Sequence, residues 1–192
     1  MQASAEFESE VLEIIKSRRS RRAFISKLIE PEKIKSLFEA ARWAPSSVNE
    51  QPWVYVYATA DQEELWHKIF DSLNDNNKTW AKEAPLLVVS LSRKRFLKND
   101  QLNGSAKYDV GAANAFLTLQ ATQFGLNVHQ MGGFDHNRLR QNLNVPETFD
   151  LGVVMAIGYP GDPQQLPLPL QERELSPRMR YLQSEFVMNQ SF

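Results

Sequence analysis

The chain has 192 residues, 42% of them hydrophobic and 23% charged, a composition that suits one globular domain and not a disordered segment. Its 22 Lys+Arg against 23 Asp+Glu give a formal net charge of -1, so no global field draws it to nucleic acid or anionic lipid. No apolar run is long enough to span a bilayer, and the absence of cysteine excludes disulfides, iron–sulfur clusters, thiolate zinc sites and cysteine nucleophiles.

Taken in chain order, MQASAEFESE lacks a basic flank followed by an apolar stretch, so no secretory signal is expected and a cytoplasmic location fits. Residues 8–17 place Val11, Leu12, Ile14 and Ile15 on one helical face. A second helix opens at Pro31 with Glu32 beside it, carries Ile34, Leu37, Phe38 and Ala41 as its apolar stripe, and stops by Ala44 before Pro45. PSSVNEQPW is a loop and WVYVYA a strand. DQEELWHKIFDSL reads as a helix with Asp61 at its N-cap and Glu64 completing a capping box. PLLVVSL, residues 85–91, is an unbroken apolar run expected to be a strand covered on both faces. RKRFLKNDQLNG is a polar connection. Residues 109–124 form the most apolar helix, closed by Gly125. LNVHQM is a short strand, GGF a turn, Asp135 the cap of another helix, and LGVVMAIGY a further strand. Beyond PGDPQQLPLPL the prolines argue against regular structure, leaving residues 163–192 as an irregular arm. Alternating strands and helices predict an α+β or α/β sandwich around a mixed sheet, as one domain over 1–192.

Several chemistries find no support. His67, His129 and His136 sit far apart on different elements with no metal-ligating spacing, so no metal is expected. There is no nucleophile elbow around Ser46 or Ser47, no dinucleotide-binding glycine fingerprint and no Walker loop. What remains is polar residues gathered at element ends: Arg18, Arg19, Ser20 and Arg22 after the first helix, Pro45 to Gln51 after the second, Gln130 to Gly133 after a strand, and Arg178 and Arg180 in the tail. Singly, each has a bland reading as surface charge, turn chemistry or a hairpin.

Together, RRSRRAF, APSSVNEQPW, NKTWAKEAPLLVV, YDVGAANAFLTLQATQFGLNVHQMGGFD, VVMAIGYPGD and SPRMR occur in an order that resembles the nitroreductase family of FMN-dependent flavoproteins, from about Leu12 to the C-terminus. The resemblance implies an α-β-α sandwich with a central mixed sheet, and a homodimer with FMN at its interface and the C-terminal arm exchanged. It implies that Arg18 and Ser20 bind the FMN phosphate, with Arg178 and Arg180 closing the clamp. Arg19 matches a contact beside the ring and Arg22 the cation near the flavin pyrimidine edge. Pro45, Ser46, Ser47 and Asn49 would reach the cofactor from the other subunit. Asn77 matches a residue bonding the ring, and Gln130, Met131, Gly132 and Gly133 the segment along its reactive edge.

Physical chemistry accounts for these residue types. Guanidinium groups bind phosphate through a planar fork, and a hydroxyl adds one more bond. A cation beside the flavin favours its electron-rich reduced form. Glycine lets backbone N–H groups come close to the ring. Two positions depart from the family pattern: Trp80 stands where some members carry a second lysine, and Gly132 where some carry a glutamate. The implied activity is hydride transfer from NADH or NADPH to a nitroaromatic or quinone-type acceptor by a ping-pong mechanism, with no protein acid or base required. Two alternatives stay open. One is another flavoenzyme on the same scaffold, such as a dehydrogenase, azoline oxidase or reductive dehalogenase. The other is a nucleic-acid-binding module using RRSRRAF with Arg93, Lys94, Arg95 and Lys98, although neither nucleic acid nor membrane is the expected partner.

Overall fold

The apolar run at residues 86–91 is the centre of the structure, a computed structural model in which residues 1–191 are described. In chain order the elements are β1 (Ala3–Ser4), α1 (Glu13–Ser17), α2 (Pro31–Arg42), β2 (Trp53–Thr59), α3 (Glu63–Phe70), α4 (Asp75–Ala81), β3 (Leu86–Arg93), α5 (Ala106–Gln123), β4 (Asn127–Met131), α6 (His136–Asn142), β5 (Phe149–Gly158), α7 (Leu168–Leu175) and β6 (Arg180–Tyr181). The main sheet runs β2-β3-β5-β4, and β1 pairs with β6 in a separate two-stranded sheet.

Period-two alternation along β3 divides the core in two. Leu86 and Val88 pack with Ile34, Leu37 and Ala41 of α2 and Ala113, Leu117 and Ala121 of α5. Leu87, Val89 and Leu91 pack with Trp66 and Ile69 of α3, Trp80 and Ala81 of α4 and Leu139 of α6. The result is helix on sheet on helix, with β3 covered on both faces as its unbroken apolar run requires.

The expected mixed sheet is corrected: every neighbouring pair in the main sheet is antiparallel. Two helices, α3 and α4, lie between β2 and β3, so the chain returns reversed beside the strand it left. A single helix, α5, crosses from β3 to β4, and those two strands do run parallel, but β5 inserts between them and opposes both. Helix–strand alternation anticipates the crossover; it carries no signal for the strand that later fills the gap.

Four local expectations also change. The first helix is only Glu13–Ser17. Asp61 caps nothing: α3 starts at Glu63 after Gln62, whose side-chain oxygen turns back to accept the Thr59 N–H at 3.1 Å, so the capping box is not formed. A helix not foreseen, α4, is capped by Asn74, which accepts the Asn77 N–H. The proline-rich tail is not wholly irregular, because α7 holds Pro169 in its first turn, where a missing N–H costs nothing. Two readings hold: α2 opens on Pro31, and Asp135 caps α6 by accepting the Arg138 N–H.

Candidate functional site

The basic run leaves α1 extended and is tied to the end of β5. Phe24 bridges to Pro160, the Gly161 N–H donates to the Ala23 carbonyl at 2.9 Å, and the Ile25 N–H donates to Tyr159. A Cβ at Gly161 would lie 2.6 Å from the backbone of Phe24, so glycine is what permits this approach. Tyr159-Pro-Gly, a bland turn in the sequence, therefore fixes where RRSRRAF lies.

The tail folds back onto that run. Arg18, Arg19, Ser20, Arg178 and Arg180, all drawn from the sequence as phosphate-site or ring-side candidates, line one cavity of about 240 Å³ together with Arg21, Arg173, Ser176 and one acid, Glu174. Arg18 Nη1 lies 3.3 Å from Ser20 Oγ, so these two side chains point the same way. Arg19 donates to the Ser176 carbonyl. Arg178 is differently engaged: its guanidinium donates to the carbonyls of Ile15, Lys16 and Arg18 and so closes the end of α1.

Among the described residues, no carboxylate forms an ion pair with Arg18, Arg19, Arg178 or Arg180. Burial, and then repulsion from Arg178, Arg180 and Arg19, lower the pKa of Arg18. Burial followed by Arg180 and Arg19 does the same to Arg178. The one carboxylate in the lining, Glu174, is turned onto the Arg22 N–H, so the guanidinium groups that repel one another have no acid of their own, and a phosphate ester suits such a cluster in charge and in donor geometry.

Arg22 faces elsewhere, toward Glu174. The buried Glu174 carboxylate lies 3.9 Å from Arg22 Nη1 and accepts the Arg22 N–H at 3.0 and 3.1 Å. At the end of β4, Asn77 Nδ2 donates to the Gly133 carbonyl at 2.9 Å, and the Asn74 N–H donates to the same oxygen at 3.1 Å. A Cβ at Gly133 would sit 2.3 Å from Asn74 Nδ2, whereas one at Gly132 would meet nothing within 4 Å. Gly133 is thus needed for the clasp, and Gly132 leaves an open stretch of backbone beside it. Met131 is buried, and Gln130 Nε2 donates to Thr118 Oγ1.

Among the described residues the Pro45–Asn49 loop shares no hydrogen bond with the arginine cluster and does not line its 240 Å³ cavity; it is tied to α5, where the Ser47 N–H donates to buried Asp109 at 3.2 Å. Its backbone is strained. Val48, Asn49 and Gln51 have φ of 47, 58 and 52°, and the β-branched Val48 is 82% exposed.

A family model described as "Nitroreductase family" matches residues 15–79 and 61–159. The chain belongs to the nitroreductase family. A solved structure described as an oxidoreductase containing FMN is 33% identical, covers 97% of this chain and 95% of its own, and superposes with a TM-score of 0.92. A provisionally named NADH dehydrogenase/NAD(P)H nitroreductase of Archaeoglobus fulgidus is 27% identical over 157 residues, 80% of this chain and 87% of that protein. An iodotyrosine deiodinase of Thermotoga neapolitana is 24% identical over 176 residues, 79% of this chain and 89% of that protein. The molecule is a nitroreductase-family oxidoreductase, an FMN flavoprotein by class.

Trp80 is 2% exposed, its ring centroid 6.2 Å from that of Phe24 and 4.6 Å from that of His129. All three histidines lie against aromatic rings, His67 on Trp66 and His136 on Phe134. Sequence reasoning set His129 aside and overlooked Glu174 and Asn74. A buried acid whose partners lie 152 residues away has no periodic signature. Asn74 carried a legible one, the helix-cap preference of asparagine before a short polar helix.

Proposed function

We propose that this nitroreductase-family protein is an NAD(P)H oxidoreductase that reduces nitroaromatic or quinone-type acceptors in a ping-pong cycle. Bound FMN would supply the redox chemistry, taking a hydride from NADH or NADPH and passing two electrons to the acceptor. The observation that carries the reading is the arginine cluster around the 240 Å³ cavity, in which Arg18, Arg19, Arg178 and Arg180 have no ion-pair partner among the described residues and the lining carboxylate, Glu174, is taken up by Arg22. Arg18, Ser20 and Arg180 would bind the phosphate directly, with Arg19 beside them. Arg178 would bind through any donor it can spare from α1, and otherwise hold Arg18 in place. Arg22 would stand by the pyrimidine edge and favour the reduced flavin. Asn77, Gln130, Met131, Gly132 and Gly133 would form the edge along which the ring lies.

The reading includes a homodimer. The Ser46–Asn49 loop would serve the partner's cofactor, which fits its separation from this chain's own arginine cluster. The loop hangs from Asp109, next to Tyr108, which is 82% exposed, and α5 continues outward through Gly111, Ala115 and Phe116. Leu12 just before α1, Ile15 of α1, and Phe186, Val187 and Met188 of the tail are also exposed apolar groups. These surfaces suit an obligate interface, above roughly 2,000 Å² in total, with the arm laid across the partner.

A second reading, reductive dehalogenation, draws support from the Thermotoga neapolitana relative and would use the same FMN residues. One experiment separates the two. The purified protein should be yellow, bleach anaerobically with NADH or NADPH, and recolour when menadione or a nitrofuran is added. Bleaching that fails with both nicotinamides, with iodotyrosine consumed after chemical reduction, would move the assignment to the dehalogenase reading. A colourless protein that takes up no FMN would remove both.

A further inference from the structure

The peptide unit joining Arg21 to Arg22 is held at both ends by side chains from distant elements. On one side His129 of β4 places Nδ1 3.1 Å from the Arg21 carbonyl oxygen. A carbonyl oxygen only accepts, so the imidazole presents Nδ1–H there. On the other side Glu174 of α7, 3% exposed, accepts the Arg22 N–H with both carboxylate oxygens and lies 3.4 Å from the Ala23 N–H. The Glu174 carbonyl in turn accepts from Arg21 Nη1 at 2.8 Å. The carboxylate also faces the Arg22 guanidinium at 3.9 Å.

We infer that Glu174 and His129 are positioning residues for Arg22: together they fix its direction, and Glu174 sets how much of its positive charge a bound flavin meets. The inference rests on the reading of Arg22 as the cation beside the flavin. Packing alone does not call for either group. An apolar residue on α7 could fill the same space, whereas a buried carboxylate is costly unless its lone pairs are occupied, and here they are. A hydrocarbon at position 129 would pack against Trp80 but leave the Arg21 carbonyl without its donor. Glu174 also lies in the tail segment that carries Arg178 and Arg180. The stretch of chain that closes the phosphate cavity is therefore the one that orients Arg22, and the two ends of the cofactor would be served by one connected piece of structure.

The sign of each effect follows from the chemistry. Glu174→Gln removes a negative charge beside Arg22 while its Oε1 can keep one amide hydrogen bond, so the flavin should meet more of the positive charge and its reduced form should be favoured. Removing the His129 donor leaves charges unchanged and frees the peptide to turn, so Arg22 should support the reduced form less well. Glu174→Gln should raise the preference for reduced over oxidised flavin about tenfold, equivalent to about 30 mV for a two-electron couple. His129→Leu should lower it. His129→Asn, whose Nδ2 can stand in for Nδ1–H, should restore the wild-type value.

The test is the midpoint potential of the flavin in wild type, Glu174→Gln, His129→Leu and His129→Asn, with amide hydrogen exchange at Arg22 and Ala23 measured on each apoprotein. The inference expects opposite potential shifts for the first two variants, rescue by the third, and faster exchange wherever the grip is broken. A potential that does not move, or that falls, in Glu174→Gln overturns the charge-setting role. Unchanged exchange at Arg22 in both Glu174→Gln and His129→Leu overturns the grip itself. If wild type binds no flavin, the proposed function falls, and the exchange data still decide whether the peptide is held.

Discussion

The Arg178 guanidinium donates to the backbone carbonyl of Arg18, and through the same fork to those of Ile15 and Lys16. A residue read from the sequence as a phosphate ligand is thus also the C-terminal cap of α1, complementing the carbonyls that a helix end leaves unpaired. The Arg180 guanidinium, by contrast, donates among the described residues only to the carbonyl of Met179 beside it. The two arginines should separate on mutation. Arg178→Ala should destabilise the apoprotein by about 1–2 kcal/mol, while Arg180→Ala leaves its thermal midpoint unchanged and weakens FMN binding instead. Thermal scans of both apoproteins check this; equal stability would remove the capping role of Arg178.

Adjacent glycines should differ as sharply. Gly133→Ala drives a methyl group into Asn74 Nδ2 and strains the Asn74–Asn77 clasp, so a loss of about 1–3 kcal/mol is expected in urea denaturation. Gly132→Ala has open space and should leave apoprotein stability alone. If that backbone faces the flavin, the same variant should nevertheless bind FMN less tightly. An equal cost of the two substitutions in the apoprotein would contradict the clasp.

Burial, and next the positive charge of Arg22, lower the pKa of His129 from 6.5 to about 4. The folded value lies below the unfolded one, so between them the unfolded chain binds more protons. The contribution of His129 is therefore complete above about pH 6.5 and is lost as pH falls toward 4, to the extent of about 3 kcal/mol. Stability measured from pH 7.5 to 4.5 should fall more steeply in wild type than in His129→Asn. Parallel curves would show that His129 titrates normally.

Exposed apolar groups on α5 should mark the dimer contact. Tyr108→Glu or Phe116→Glu should shift sedimentation from dimer toward monomer, and, on the proposal that the Ser46–Asn49 loop serves the partner's site, FMN should be lost with the partner. A wild-type monomer that retains flavin at micromolar concentration would refute the shared site.

The limits of sequence reading follow the range of the interactions. Local signals identified α2 from Pro31, the cap of α6 from Asp135 and the double burial of β3 from Leu86–Leu91. They misplaced the start of α3, because Gln62 bonds back to Thr59 instead of releasing Asp61 to cap. The antiparallel insertion of β5 between β3 and β4 was not legible, since strand order depends on pairings between segments far apart in the chain. At the site, motif order brought Arg18, Ser20 and Arg180 onto one page, and the fold gathers them about one cavity. Glu174 was hidden because it is one acid in a polar tail, and its burial arises only when α7 folds onto Arg22.

The central claim is that the arginine cluster holds a phosphate. Its most direct test is titration of wild-type and Arg18→Ala apoprotein with FMN and with riboflavin, which differ only in the phosphate. Charge-assisted hydrogen bonds contribute about 1.5–3 kcal/mol each, so the account predicts that wild type prefers FMN strongly and that Arg18→Ala loses roughly ten- to a hundredfold of that preference. Wild-type protein that binds both flavins alike, or Arg18→Ala that discriminates as well as wild type, would contradict it.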